Sequence, residues 1–269
     1  MFAQERFQKI TSLLEQKGRL SVQTLEKALG VSPATLRRDL SELEVSGKLI
    51  RIHGGVMHPA YFNGEPSYEQ KTRENLGDKQ AIADVVADLI PSNASVLIDS
   101  GTTCMEIGRR LLRRKDLTII TNSIPLLNAA HSTQAQVICI GGQLRVVNQA
   151  LVGEIATQWM EGLSADFAVL SSSGLSLDRG ATTTELTEAQ MKKLFLKRAD
   201  KVILAADASK WGQNRPVTFA QFEDFDYWVT AGAIPEEHLR MVKRTGVRVI
   251  LAGRGKAGAA QSTHKEAHA

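Results

Sequence analysis

The sequence predicts an α/β chain in two parts: an N-terminal winged helix-turn-helix over residues 1–57 and a mostly parallel-sheet α/β domain over residues 78–253. Three observations predict it. Near the N-terminus, two helical segments meet at a Gly-containing turn and run into a basic hairpin. From residue 95 onward, apolar runs of strand length recur, each ending in small polar residues and alternating with helical segments. Between the two parts, residues 58–77 are rich in Pro, Gly and polar side chains, show little apolar periodicity, and read as a linker.

Length suits this division, since 269 residues fit a small domain joined to a medium one. Hydrophobic residues at 43% and charged residues at 23% are the values of an ordinary globular protein. The longest apolar runs, such as residues 96–98 and 249–252, are far short of the ~20 residues that cross a bilayer. Residues 1–10 mix Gln, Glu, Arg and Lys with apolar side chains, so no secretory signal is expected and a cytoplasmic location is. Cys104 and Cys139 make neither a disulfide framework nor a zinc-type spacing and are read as two buried, reduced thiols. No cofactor, metal or membrane partner is implied.

Charge is uneven. Residues 1–58 hold nine Lys/Arg against six Asp/Glu, so this fifth of the chain carries +3 of the net +4. That excess is compatible with nucleic acid but too small to establish it, and geometry must decide.

In chain order, residues 3–16 set Phe7, Ile10, Leu13 and Leu14 on one helical face, and Lys17-Gly18 ends that helix. Ser21 caps a second helix with Leu25, Ala28 and Leu29 inward. Gly30-Val31 makes the turn, and Ser32-Pro33 opens a third helix that runs to about Ser46, closed by Gly47. Two helices joined by a tight turn, the second capped by Ser-Pro, form a helix-turn-helix. With Leu36, Leu40 and Leu43 inward, Ala34, Thr35, Arg38 and Ser41 face outward and Arg37 lies on the flank. The N-terminal end of such a helix enters a major groove, where Arg38 can donate two hydrogen bonds to a guanine edge and Thr35 can meet a base or methyl group. Arg37 and the Ser32-capped helix start suit phosphates. Residues 48–52 alternate as a strand, and His53-Gly54-Gly55 turns them back into Val56-Met57, a hairpin that carries Lys48, Arg51 and His53 toward a backbone. A helix-turn-helix used for protein association is the other reading, but such a surface should expose apolar residues rather than Thr35, Arg37 and Arg38.

After an amphipathic helix over residues 79–90, strands are expected at 95–99, 117–120, 137–140, 166–170, 201–206, 227–230 and 247–252. Continuous apolar strands alternating with helices indicate a parallel sheet covered on both faces, with ligands beyond the strands' carboxyl ends. The strongest single candidate there is Asp99-Ser100-Gly101-Thr102-Thr103, where a strand passes through a glycine turn into a helix. Gly101 lets the backbone approach, the hydroxyls of Thr102 and Thr103 add donors, and the helix dipole favours an anion. Asn122, Ser123 and Gly142 stand at neighbouring strand ends. Lys192 and Lys210 are candidate cations for a phosphate; Asp99 and Asp207 are placed to accept from ligand hydroxyls or to cap turns. Residues 254–269, rich in Gly, Ala, Lys and His, read as a disordered tail in which His264 and His268 make no metal site.

A resemblance joins these pieces. Gly30-Val31-Ser32, Thr35-Leu36-Arg37-Arg38-Asp39-Leu40 and Arg51-Ile52-His53-Gly54-Gly55 look like the DeoR family of bacterial regulators. Asp99-x-Gly101-Thr102-Thr103, Thr121-Asn122-Ser123, Gly141-Gly142, Leu151-Val152-Gly153, Ala181-Thr182-Thr183, Glu188 to Lys192 and Asp207-x-Ser209-Lys210-Trp211-Gly212 extend the resemblance over nearly all of residues 1–253. It implies an effector domain related to ribose-phosphate isomerase and CoA transferases, a phosphorylated sugar effector, double-stranded operator DNA as partner, and a homo-oligomer, dimer or tetramer. It implies a repressor of carbohydrate-metabolism genes. One departure stands out: Ser171-Ser172-Ser173 occupies a strand end where family members often carry glycine and the isomerases carry acidic residues. Serines cannot serve as the proton-moving base of an isomerase, which favours a sensor over an enzyme.

Overall fold

Leucines on single helical faces organise the first part of the computed structural model, which describes residues 2–46, 48–52, 54–58 and 65–253. Helix α1 (Ala3–Lys17) buries Ile10 and Leu14. Strand β1 (Arg19–Ser21) is too short for its alternation to be read from sequence. Helix α2 (Val22–Leu29) is capped by Ser21, whose Oγ accepts from Thr24 N at 3.1 Å. Leu25 and Leu29 are buried, but Ala28 is exposed, contrary to expectation, because α2 meets its neighbours only along the narrow Leu25–Leu29 stripe. Helix α3 (Pro33–Val45) starts at Ser32, with Pro33 in its first turn, and buries Leu36, Asp39, Leu40 and Leu43. Arg6 reaches across from α1 to Asp39, placing Nε at 2.5 Å and Nη2 at 2.8 Å from its two oxygens.

Strands β2 (Ile50–Ile52) and β3 (Gly55–Met57) form the hairpin, and β1 joins it in an antiparallel sheet of order β1-β3-β2. Gly55 is required there: a Cβ would stand 2.3 Å from Leu20 O on β1. Helix α4 (Tyr68–Arg73) lies within the segment read as linker. Ser67 and Gln70 cap it reciprocally, a signal independent of apolar periodicity. This first unit extends to Leu76, and a second begins at Gly77.

The second unit opens with α5 (Leu76–Leu89), β4 (Ser95–Ile98), α6 (Thr102–Leu111), β5 (Thr118–Thr121), α7 (Ile124–Ala129) and β6 (Gln136–Cys139). A hairpin follows, β7 (Gln143–Arg145) and β8 (Ala150–Val152), then α8 (Glu154–Glu161), β9 (Ala165–Leu170), β10 (Gly174–Ser176) and β11 (Gly180–Thr183). The chain continues through α9 (Leu186–Lys197), β12 (Ala199–Ala205), β13 (Val217–Ala220), β14 (Tyr227–Thr230), α10 (Glu236–Lys243) and β15 (Arg248–Leu251). The seven strands expected from sequence form one parallel sheet of order β15-β14-β12-β9-β4-β5-β6. Strands β10, β11 and β13 make a separate antiparallel sheet.

Alternate residues of the central strands enter two different cores. Leu97, Ala168 and Leu204 pack with residues of α8, α9 and α10, whereas Val96, Val169 and Ile203 pack with residues of α5, α6 and α7. Both faces are therefore covered, which explains why the strands read as continuous apolar runs. Cys104 is buried in the second of these cores. Cys139 is exposed, correcting the expectation of two buried thiols: it ends β6, the edge strand, where one side has no neighbour. Among the described residues no helix is long and apolar enough to cross a membrane.

Strand order fixes where a ligand site belongs. From β4 the sheet grows outward through β5 and β6; the chain then returns to place β9 on the other side of β4 and grows outward through β12, β14 and β15. The reversal lies between β4 and β9, and in such sheets the crevice at the carboxyl ends of the reversing strands binds ligands.

Candidate functional site

At the exposed start of α3, Ser32 Oγ accepts from Thr35 N at 3.2 Å and lies 2.9 Å from Thr35 Oγ1. Arg37, Arg38 and Lys48 are exposed, and their side chains engage no acceptor among the described residues. They remain available to a polyanion. Arg51 behaves differently. Its Nη2 donates to Arg37 O at 2.9 Å and to Ser41 Oγ at 3.0 Å, and its Nε stands 3.4 Å from Glu44 Oε2. Arg51 thus fastens the hairpin to α3 rather than projecting from it. Glu44 is shared: Arg73 of α4 comes within 3.5 Å of the same oxygen, and Gln70 Nε2 donates to Arg51 O at 3.4 Å. His53 lies outside the described residues, as do Gly47 and residues 254–269.

In the second unit, Gly101 caps α6 and Thr102 and Thr103 are its first residues. Gly101 itself offers no side chain to cap this helix start. Asp99, at the end of β4, is buried and accepts three donors on Oδ2: Ser171 N at 3.1 Å, Ser171 Oγ at 2.7 Å and Lys192 Nζ at 2.5 Å. Lys192 also donates to Ser171 O at 3.0 Å. Ser171 follows β9, so the pair is locked across the strand reversal itself. Gly101 is dictated by this packing, since a Cβ there would stand 2.0 Å from Ser171 Oγ. Burial favours the neutral form of each partner, but Lys192 and the Ser171 hydrogen bonds outweigh it and hold Asp99 below the usual carboxylate range. Burial opposes the Lys192 ammonium likewise, and Asp99 and Glu188 outweigh it and raise its pKa.

The other expected residues line the same edge. Asn122 follows β5 and donates Nδ2 to Leu151 O at 3.0 Å; Ser123 caps α7 through its hydroxyl. Gly142 packs against Val152 and Ala156. On the far side of β9, Asp207 is buried and caps the turn Ala208–Lys210, accepting from Ser209 N at 3.0 Å. Lys210 is half-exposed on that turn, and its ammonium has no acceptor among the described residues. The two lysines therefore differ: Lys192 is committed to Asp99, and Lys210 is open.

Several roles become visible only in the structure. Glu188 lies one helical turn before Lys192 and accepts from Thr183 Oγ1 at 2.8 Å and Asn148 Nδ2 at 3.1 Å. The four-residue spacing of Glu188 and Lys192 is the sequence signal that the two share a helix face. Asn148 sits in a hairpin too short to read, and Ser171, singled out in the sequence as a departure at a strand end, gives no sign there that it donates to Asp99.

A winged helix with open arginines, followed by a separate sheet with a glycine-capped helix start at its strand reversal, is the architecture of a DNA-binding regulator with its own sensor. Comparison with known families agrees: residues 6–60 match the DeoR-like helix-turn-helix domain and residues 74–231 match the DeoR C terminal sensor domain. The chain belongs to the DeoR family of transcriptional regulators. It is 36% identical over 250 residues to the HTH-type transcriptional regulator GlpR of Haloferax volcanii, covering 93% of this chain and 98% of that one. It is 33% identical over 250 residues to the glycerol-3-phosphate regulon repressor of Haemophilus influenzae, covering 91% and 96%. Among solved structures it is similar to ribose 5-phosphate isomerase A of Neisseria gonorrhoeae, at 12% identity and a TM-score of 0.38 over 51% of this chain and 53% of that one. Likeness at that level bears on neither activity nor ligand.

Proposed function

We propose that this protein is a repressor of carbohydrate-metabolism genes that binds double-stranded operator DNA as a homo-oligomer and is released by a phosphorylated sugar or related metabolite. The observation that carries the effector half is the glycine-capped start of α6 beside a neutralised carboxylate. Free N–H groups and the helix dipole attract a phosphate. A bare Asp99 would repel it; Lys192 cancels that charge, and Lys210 supplies an open cation two strands away. The names of relatives, one a glycerol-3-phosphate regulon repressor, point the same way.

The same geometry argues for binding without turnover. A carboxylate that accepts three hydrogen bonds and is held ionised is a poor proton acceptor at neutral pH. On DNA, Arg38 reads a base edge while Arg37, Lys48 and the Ser32-capped helix start hold phosphates. A two-fold oligomer sets two copies of α3 on operator half-sites about 34 Å apart. The effector binds the two arrangements of that oligomer unequally and shifts their population.

The test is DNA binding by the full chain to its own upstream region, with and without a panel of phosphorylated sugars. One compound should release the complex, and its unphosphorylated counterpart should not. Thr102→Asp puts a negative charge at the α6 start; it should keep DNA binding and lose release. Unaltered release in that variant removes the site from α6.

A further inference from the structure

Hairpin β7–β8 and helix α8 carry apolar side chains on faces that their own chain leaves uncovered. Leu144, Val146, Val147, Ile155 and Trp159 are between 39% and 74% exposed, five of the eleven large apolar side chains exposed among the described residues. All five fall within residues 144–159, so they are concentrated rather than scattered as single exposed apolar residues usually are. The register sets Leu144 opposite Leu151 and Arg145 opposite Ala150. Ala150 and Val152 enter the core, so Leu144 and Leu151 share the outer face, where a half-solvated antiparallel pair normally carries polar residues. Helix α8 repeats the pattern. Its apolar arc runs through Ile155, Ala156, Trp159 and Met160, but the core takes only Ala156 and Met160.

The two elements form one rigid piece. Gly142, at the root of the hairpin, packs so closely that a Cβ there would stand 2.9 Å from Ala156 Cβ on α8. Leu151 N donates to Asn122 O at 2.8 Å, Ile124 N to Gln149 O at 3.0 Å and Asn148 Nδ2 to Glu188 Oε1 at 3.1 Å, which fasten the hairpin to the segment after β5 and to α9. A surface held this way has little freedom to lose when it associates. The exposures amount to roughly 500 Å² of apolar surface, the size of the largest patch on an ordinary monomer and more than half of the ~800 Å² that each partner gives a stable interface. Composition selects the partner. Arg145 is the one cation of residues 143–161, and it stands 4.0 Å from Glu185. The exposed polar residues of that stretch are Gln143, Glu154, Gln158 and Glu161, and the last three share one stripe of α8, beside the apolar arc rather than across it. An apolar centre matches itself, as an isologous contact requires.

We infer that hairpin β7–β8 and the outer arc of α8 are the surface on which the sensor units of two copies of this chain pair about a two-fold axis. The inference rests on the homo-oligomer of the proposed function and gives it a location. Two-fold pairing of sensors suits a two-fold operator, and the surface lies wholly in the second unit, so no residue of the DNA reader is used in pairing.

Sedimentation equilibrium of the full chain over a concentration series tests this. The unaltered chain should have at least the mass of a dimer. Val146→Glu and Trp159→Glu should each raise the dissociation constant at least about tenfold, and together they should at least halve the mass. Both side chains are exposed in the single chain, so the variants should keep its far-ultraviolet circular dichroism. Met241→Glu, which changes an exposed apolar residue on α10, should leave the mass as it is. Hydrogen exchange of the unaltered chain needs no variant: on dilution into monomer, peptides covering residues 143–161 should lose protection, and more of it than the rest of the sensor unit. An oligomer that survives the double substitution overturns the inference and leaves the oligomer reading standing. So does a loss of mass in Met241→Glu equal to that of the double variant, or protection lost on dilution only outside residues 143–161. An unaltered chain that is a monomer at every concentration removes the oligomer reading and this inference with it, and assigns the surface to a different protein.

Discussion

Lys192 Nζ lies 2.5 Å from Asp99 Oδ2, and neither side chain is more than 4% exposed. The two come from distant parts of the chain and meet where the sheet reverses direction. Removing one partner leaves the other charge buried and uncompensated. Lys192→Met should destabilise the sensor unit by about 3–5 kcal/mol, the usual cost of breaking a buried pair. The double variant Asp99→Asn/Lys192→Met should lose clearly less than the sum of the single losses. Denaturant unfolding of the full chain, followed through the transition of the second unit, measures this, and simple additivity would show that the pair is not coupled.

The pair also predicts a pH profile. Asp99 titrates below its ordinary 3.8 in the folded protein, so its contribution is present above about pH 4 and is lost as pH falls through the folded value. Lys192 titrates above its ordinary 10.5, so its contribution is present below about pH 10 and is lost as pH rises through the folded value. The Tm difference between the protein and the double variant should therefore be constant from about pH 5 to pH 9 and shrink in acid. A change between pH 6 and pH 8 would mean that the pair is not ionised as described.

On the DNA side, Arg38→Ala should cost about 1–3 kcal/mol on the operator and much less on random DNA. Arg37→Ala should weaken both alike and flatten the salt dependence by about one unit of slope. Fluorescence anisotropy at several salt concentrations separates these roles. Equal losses on specific and random DNA for Arg38→Ala would deny it a base contact.

Gly101→Ala drives a methyl group into Ser171 Oγ. Overpacking of this kind costs about 1–3 kcal/mol, and here it should also abolish the effector response. Adding Ser171→Gly removes the obstructing side chain and should recover part of the stability in a thermal melt. No recovery would place the strain elsewhere.

Much of this was legible from residues alone, for identifiable reasons. The inner strands of the parallel sheet are covered on both faces, so each announces itself as an apolar run; the three-residue strands β1, β7, β8 and β10 offer no such run. Two helix starts were legible because Ser21 and Ser32 cap them chemically; Ser123 caps a third that was read only as a strand end. Asp99 and Lys192 could be named as charged groups near strand ends, but their pairing depends on the return of β9 beside β4, which no local pattern encodes. Asn148 was invisible for the same reason: its partner is 40 positions away.

Helix α4 has a consequence for how such proteins can be recombined. Glu44 is within ion-pair distance of both Arg51 of the hairpin and Arg73 of α4, and Gln70 holds the backbone of Arg51. A DNA reader excised at residue 57, where the sequence alone would draw the line, leaves behind the piece that braces its own hairpin. A chimaera joined after Arg73 inherits the brace intact, so the natural seam for exchanging sensors among such regulators falls at residues 74–76.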